Sequence, residues 1–286
     1  MQTARNLPVG RDMRIAPGCR QAGMTVKKQY ILHMKSIVLF GAGNVATHLY
    51  KALSRTPYFS VIQVYNHKPE NLIPFTAGVK TTTSMDEVLQ ADIYLIAVKD
   101  DAIPNIVEGL KLSDALVVHT AGAVSMHVLE KFPRRGIFYP LQTFSKSKEV
   151  DFRSLPICLE ASNEKDLGLL EELAGSISEK FYRINSEQRK SLHVAAVFVS
   201  NFVNNLYAQG EEICRENKIP FEILKPLILE TAQKITVMTP GEAQTGPARR
   251  NDIKVIQSHL EMLRGDQKEI YSLLTQSIQN LYGKEL

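Results

Sequence analysis

The chain has 286 residues, 44% of them hydrophobic and 22% charged, with 16 Gly, 13 Pro, 3 Cys and no Trp. That is a globular composition, long enough for one large or two ordinary domains, and it excludes a disulfide-built miniprotein or a disordered chain. A net charge of +4 raises nucleic acid or a membrane surface as partners, but residues 1–33 hold six Lys/Arg against Asp12 alone, leaving 28 basic and 29 acidic residues in a nearly neutral body.

Residues 1–33 mix Pro, Gly, Arg and Gln without period and lack the apolar run of a signal peptide. They are expected to be a disordered extension or an over-extended start, with Met24 and Met34 as further possible starts. Cys19, Cys158 and Cys214 show no CxxC or Cys/His spacing, so neither a disulfide framework nor a metal site is expected, and the location expected is the reducing cytoplasm. No apolar stretch approaches the ~18 to 20 residues needed to span a bilayer. Neither membrane nor nucleic acid is therefore an expected partner.

From Ser36 onward, short β-branched runs alternate with helical stretches, the pattern of a parallel sheet with crossover helices. Strands are predicted at 36–40, 60–65, 79–82, 93–98, 116–119, 137–139, 157–160 and 181–184. Ser84, followed by Asp86 and Glu87, reads as a helix N-cap with acids in the first turn, and Leu167 to Ile177 reads as an amphipathic helix. The predicted class is α/β, a doubly wound Rossmann sheet over 34–185, followed by an all-α region over 186–286.

The first strand runs directly into Gly41-Ala42-Gly43-Asn44-Val45-Ala46 and then into a helix. In the G-x-G-x-x-A dinucleotide turn, Gly41 permits the tight bend and Gly43 lets a pyrophosphate approach the backbone. Small Ala46 lets helix and strand pack closely, and the phosphate rests on the free N–H groups of the helix start. S-adenosylmethionine uses a similar turn and stays open as an alternative. The second strand ends at Asn66-His67-Lys68, where an NAD-specific site usually carries Asp or Glu for the ribose 2′-hydroxyl. Asn66 donates to a 2′-phosphate that a carboxylate would repel, and Lys68 supplies charge, so the expected cofactor is NADP. The plainer reading makes His67 and Lys68 a solvated loop.

After Ser186 the pattern changes. No Pro interrupts 186–217, and eleven of the sixteen residues from Leu192 to Tyr207 are apolar, distributed around the helix. A helix that is apolar all round is buried on every side. Helices near 220–237, 252–263 and 267–281 are too little chain to cover it, so a second subunit is expected there, making a homodimer through the helical region.

Ala91 to Asp100 resembles the fourth-strand motif of pyrroline-5-carboxylate reductase and its relatives. His119-Thr120-Ala121-Gly122, Tyr139-Pro140-Leu141-Gln142-Thr143-Phe144-Ser145 and Thr245 to Asp252 resemble the NADP oxidoreductases that join a Rossmann-like domain to a helical C-terminal domain of unknown function, in the superfamily of 6-phosphogluconate and β-hydroxyacid dehydrogenases. The resemblance covers about Met34 to the C-terminus. It implies a cofactor and hydride-transfer chemistry without a substrate, with Ala97, Val98 and Lys99 at the nicotinamide side. Many relatives have His where Tyr139 stands.

Ligands of a doubly wound sheet bind beyond the carboxyl ends of its strands, a rule that also collects Thr120 and Gly122 and the loop carrying Gln142 and Thr143. Related dehydrogenases place a Lys or Asn on the first long helix of the second domain. Here that helix carries His193, Asn201 and Asn204. At about 100° per residue, Ser200 and Asn204 fall within about 20° of His193, and Asn201 flanks that face near 80°. A polar stripe on an apolar helix needs partners or a ligand. Histidine, with an ordinary pKa of ~6.5, serves as a general acid near neutral pH, so His193, Asn201 and Asn204 are the candidate catalytic residues. The competing readings are a satisfied core histidine and an Asn pair that stitches a dimer. Thr245, Arg249 and Arg250 form a candidate lid over an anionic substrate or the cofactor, or a solvated loop. His48, His119 and His127 read as packing or surface residues. The function expected is NADP-dependent hydride transfer to or from a small carbonyl or imine. A non-catalytic NADP-binding or assembly protein is the main alternative, and a nucleotide-dependent transferase a weaker one.

Overall fold

The computed structural model describes residues 34–111 and 114–282. The expectation for residues 1–33 lies outside the described residues. All eight predicted strands are present: β1 (Lys35–Phe40), β2 (Phe59–Tyr65), β3 (Lys80–Thr82), β4 (Ile93–Ile96), β5 (Leu116–His119), β6 (Arg135–Pro140), β7 (Ile157–Ala161) and β8 (Phe181–Arg183). They form one sheet of order β3-β2-β1-β4-β5-β6-β7-β8, whose first six strands follow the Rossmann order. Every adjacent pair is parallel except β6 and β7, which run antiparallel with Tyr139 opposite Cys158 and Ile137 opposite Glu160. The sheet is dominated by parallel pairs as predicted, with this one antiparallel step. A parallel return needs a crossover helix, and residues 141–156 between β6 and β7 contain none.

Helices α1 (Asn44–Leu53), α2 (Ile103–Gly109) and α3 (Glu164–Ile177) cover the sheet. Ile37 and Leu39 point to one face, with Leu49, Leu53, Leu170 and Leu173. Val38 and Phe40 point to the other, with Tyr94, Ile103, Val107 and Phe132. Strands buried on both faces read as continuous apolar runs, as β1, β4 and β5 do. Between β3 and β4 the predicted helix after Ser84 is only a single 3-10 turn, Met85–Glu87, and Ser84 makes no side-chain cap. The Ser84 amide donates to Thr82 Oγ1 (3.1 Å), whose hydroxyl donates to Glu87 (2.5 Å). Gln63, fully buried in β2, holds the turn by donating to the Glu87 carbonyl (3.0 Å) and accepting from the Leu89 amide (2.7 Å).

The helical region opens with α4 (Ser186–Ala196), set by a capping box between Asn185 and Gln188. A π-helical segment, Val197–Phe202, continues without a break into α5 (Val203–Glu216). Then come α6 (Lys225–Lys234), α7 (Pro240–Ala243), α8 (Ile253–Met262) and α9 (Gly265–Tyr282). These later helices leave the long helix uncovered: Phe198, Val199 and Phe202 are 61%, 71% and 51% exposed. Among the described residues no helix is long and apolar enough to cross a membrane, and no group of three His, Cys, Asp or Glu gathers as a metal site. Cys158 and Cys214 are free and buried.

His119, at the end of β5, is fully buried. Its Nδ1 accepts from the Ala121 amide (3.2 Å), so Nε2 carries the hydrogen and donates to the Ser125 carbonyl (3.4 Å). Burial, and then the Arg189 cation, hold its pKa down to about 4, against 6.5 for an ordinary histidine. Between those values the unfolded chain binds a proton that the folded chain does not, so stability falls as pH drops through this window. Urea unfolding from pH 7 to 4.5 is expected to show a slope of up to roughly 1.4 kcal/mol per pH unit from this group. His119→Asn keeps a side-chain acceptor and is expected to flatten that slope; an unchanged slope would contradict the assignment.

Candidate active site

The G-x-G-x-x-A turn is built around a backbone near-collision. Gly41 has φ +115°, and a Cβ there would stand 2.1 Å from the Ala97 carbonyl oxygen. Its amide donates to the Tyr65 carbonyl (2.8 Å). Gly43 caps α1 with no side-chain cap, and a Cβ on it would meet nothing within 4 Å. The first helical amides are free of intrahelical partners, and the space beside Gly43 is open. Ala42 and Ala46 are buried between strand and helix. Val45 packs against the same core. Absence of a side chain at 41, open space over 43 and unpartnered amides at the helix start together fit a dinucleotide pyrophosphate.

At the end of β2, Asn66 is buried and accepts through Oδ1 from the Lys68 amide (2.9 Å), which leaves its Nδ2 hydrogens uncommitted. His67 and Lys68 are exposed. On the other side of the turn, the Asn44 side chain donates to the Phe144 carbonyl (2.7 Å), and His48 Nε2 lies 2.9 Å from the Ser145 carbonyl. The loop after β6 is therefore pinned to α1 by Asn44, His48 and Phe144. Gln142 and Thr143 are exposed and bonded to each other, the Thr143 amide donating to Gln142 Oε1 (2.8 Å).

The carboxyl ends of β4, β5 and β6 supply the rest of the rim. Ala97 is buried and its amide donates to Phe40, Val98 lies beside Gly41, and Lys99 is exposed at the start of a 3-10 turn. Thr120 is buried and donates to the Ile96 carbonyl through both amide (3.0 Å) and hydroxyl (3.4 Å). Gly122 is a second close approach: a Cβ there would stand 2.5 Å from His193 Nδ1 and 2.8 Å from the Tyr139 hydroxyl. Those two groups are themselves 3.2 Å apart. Burial foremost holds the Tyr139 pKa above the ordinary 10, so the hydroxyl keeps its proton. Tyr139, which stands where many relatives have His, is the rim residue to which sequence reasoning gave no role. The signal for it was present in its place beside Pro140 at the end of a strand, but its partner is 54 residues away.

Of the other candidates on the long helix, Asn201 and Asn204 are exposed. The expected common face assumed an unbroken α-helix. The π segment takes up one residue more per turn, which rotates every later position back by about 100°. Asn204 thus leaves the His193 face, and Asn205 reaches the angle expected of it. Arg249 donates to the Gly241 carbonyl (2.9 Å) and lies 4.7 Å from the centre of the Tyr282 ring, while Thr245 and Arg250 are exposed. Among the described residues no hydrogen bond joins these three to the rim.

Residues 36–122 match the family model described as NADP oxidoreductase, coenzyme F420-dependent, and residues 155–278 match a domain of unknown function, DUF2520. The second match begins inside the sheet, just ahead of β7. No curated protein matches the chain. Among solved structures, a candidate NADP oxidoreductase from Bacteroides fragilis is 44% identical over 87% of this chain and 99% of that one, with a TM-score of 0.80. An imine reductase from Myxococcus stipitatus in complex with NADP+ (15% identity, 87% and 96% covered, TM-score 0.61) shares the fold. So does a 1-pyrroline-5-carboxylate reductase from Streptococcus pyogenes (15%, 88% and 99%, 0.56). With a match to an NADP oxidoreductase domain followed by one to DUF2520, the chain belongs to the family of the Bacteroides fragilis protein.

Proposed function

We propose that the protein is an NADP-dependent oxidoreductase that transfers hydride between the nicotinamide and the carbon of a small C=O or C=N substrate. The observation that carries this reading is the Tyr139–His193 pair, held against Gly122 on the same rim as the dinucleotide turn. Bound NADPH supplies the hydride. The chain must then deliver one proton to the substrate oxygen or nitrogen, and His193 is the donor. In its cationic form Nδ1–H donates to the Tyr139 oxygen and Nε2–H is given to the substrate. The neutral ring left behind keeps Nδ1–H and goes on donating it to the Tyr139 oxygen, whereas in the resting neutral form, with the proton on Nε2, the Tyr139 hydroxyl turns to donate to Nδ1. A hydroxyl can donate or accept, so the pair stays joined through both states while solvent returns the proton to His193. Asn66 and Lys68 hold the 2′-phosphate, and Asn201, inside the π segment, and Asn205, just beyond it, contact substrate or a second subunit. Arg249 and Arg250 belong to such a reading only if a second copy brings them to the rim. The same copy would cover the apolar long helix, and the buried free cysteines accord with a reducing, cytoplasmic location.

Three outcomes test this. Lys68→Glu removes one charge-assisted hydrogen bond, of roughly 1.5 to 3 kcal/mol, and is expected to weaken NADPH binding at least about tenfold in a fluorescence titration while sparing NADH. Equal loss for both cofactors would refute the 2′-phosphate assignment, and no binding of either would refute the cofactor itself. In a screen of NADPH oxidation against imines, aldehydes and keto acids, His193→Ala is expected to cost about 10² to 10⁴-fold in rate, with Tyr139→Phe milder. NADPH binding without turnover of any substrate favours the non-catalytic alternative. Finally, Val194, Phe198, Val199 and Phe202 are all exposed on the long helix, and a contiguous exposed apolar patch marks an interaction surface. Sedimentation is expected to show a dimer, dissociated by Phe198→Asp; a wild-type monomer at micromolar concentration would rule out the second copy.

A further inference from the structure

Arg189 is the largest fully buried side chain of the protein among the described residues, 1% exposed. One guanidinium nitrogen, Nη1, donates to Glu160 on β7. The other, Nη2, donates to the Val124 carbonyl (2.6 Å) and to Ser186 Oγ (3.3 Å). Nε finds no partner. Glu160 also accepts from the Ser186 hydroxyl at 3.0 and 2.9 Å, at the first turn of α4. As a source of stability this is a poor arrangement. Burying a guanidinium and a carboxylate loses their hydration, and an apolar pair of equal volume usually does as well or better. An orphaned donor inside the cluster adds to the cost. What a buried, hydrogen-bonded ion pair does provide is a fixed geometry.

The geometry it fixes is that of the proton-donating pair. Arg189 lies one helical turn before His193, on the same face of α4. Val124 is two residues beyond Gly122, whose missing Cβ gives His193 and Tyr139 their room. Glu160 is two residues beyond Cys158, which stands opposite Tyr139 in the β6–β7 register. One guanidinium therefore touches each of the three segments that seat the pair: the helix that carries His193, the loop that makes space for it, and the strand beside Tyr139. We propose that Arg189 is a positioning residue, which through Glu160 and the Val124 carbonyl sets the depth and rotation of α4 so that His193 Nδ1 meets the Tyr139 hydroxyl. This rests on the reading of Tyr139 and His193 as the proton-donating pair. Arg189 itself touches neither substrate nor cofactor.

The test uses the full-length protein labelled with ¹⁵N-histidine, in which the ring nitrogen shifts report tautomer and hydrogen bonding directly, with His193→Gln assigning the signals. Wild type is expected to show neutral His193 as a single Nε2–H tautomer with Nδ1 in a hydrogen bond, and Tyr139→Phe to lose that signature. Arg189→Lys keeps the charge but cannot span Glu160 and Val124 together, and Glu160→Gln keeps the volume but removes the ion pair. Circular dichroism establishes which of the two retains the fold, and each that does is expected to lose the single-tautomer signature as Tyr139→Phe does. Should a folded variant keep the wild-type His193 signals and change only the melting temperature, Arg189 is structural and the proposal is overturned. If neither folds, the ion pair is needed for stability itself, and the positioning role is rejected. If Tyr139→Phe leaves the His193 signals unchanged, the pair is not formed, and the underlying reading fails before Arg189 comes into question.

Discussion

The place where β1 ends against β4 admits no side chain. With a Cβ on residue 41 only 2.1 Å from the Ala97 carbonyl oxygen, any residue but glycine would force the two strand ends apart, and the φ of +115° would strain it besides. This is also where the strand order reverses, since β1 lies between β2 and β4. A crevice opens beyond the strand ends at such a switch point. The contact therefore determines more than one turn. It sets where α1 begins, which way its unpartnered amides face, and how far Val98 stands from them. Tyr65, whose carbonyl receives the Gly41 amide, leads directly to Asn66 and Lys68, so the ribose end of the crevice is measured from the same point.

A second glycine plays the corresponding part at the end of β5. Gly122 has an ordinary φ, so its requirement is for space and not for backbone freedom. Two side chains from distant parts of the chain, Tyr139 and His193, converge where its Cβ would be. The distance between the two glycine contacts is spanned by β4 and β5, which pair in register from Ile93 and Leu116 to Ile96 and His119. Because both strands are buried along their whole length, neither can shift without disturbing the core on both faces. The sheet thus holds the Gly41 turn and Gly122 at a set separation, while the helix that carries His193 is attached to it separately.

That separation explains what could be read from the sequence and what could not. Strands announced themselves locally, as β-branched runs bounded by turn residues, and so did the glycine turn. The direction of β7 was not local: it depends on whether the connection after Pro140 crosses over, and residues 141–156 contain no helix to carry it. The turn at Met85–Glu87 was misread because Ser84, Asp86 and Glu87 have the composition of a helix start, whereas Gln63, from another strand, satisfies the backbone that a helix would have satisfied itself. The π segment left no mark that periodicity could detect, since a six-residue change in pitch alters which residues share a face without altering which are apolar. His193 was legible because it shares a polar stripe on the helix where related dehydrogenases place a Lys or Asn. Tyr139 was given no acid-base role because it stands where many relatives have His, and its partner is 54 positions away.

The charges of the body bear on the same separation. Two of its ion pairs sit at joints. Arg134 reaches Asp166 through Nε (3.0 Å) and Nη2 (2.6 Å), tying the segment that leads into β6 to the first turn of α3. Burial works against the Asp166 carboxylate, but the hydrogen bonds from Arg134 and Asn163 prevail and its pKa falls below the ordinary value. Arg189 and Glu160 do the corresponding work between α4 and β7. The helices fastened in this way lie on either side of β8, past the point where the order of strands follows from a simple alternation with helices. In that part of the chain hydrophobic contact alone would leave the helices free to slide by a turn, because an apolar surface does not discriminate between registers. A guanidinium that must find one carboxylate and one carbonyl does discriminate. The helical region can therefore leave an apolar face exposed and still hold His193 beside Tyr139.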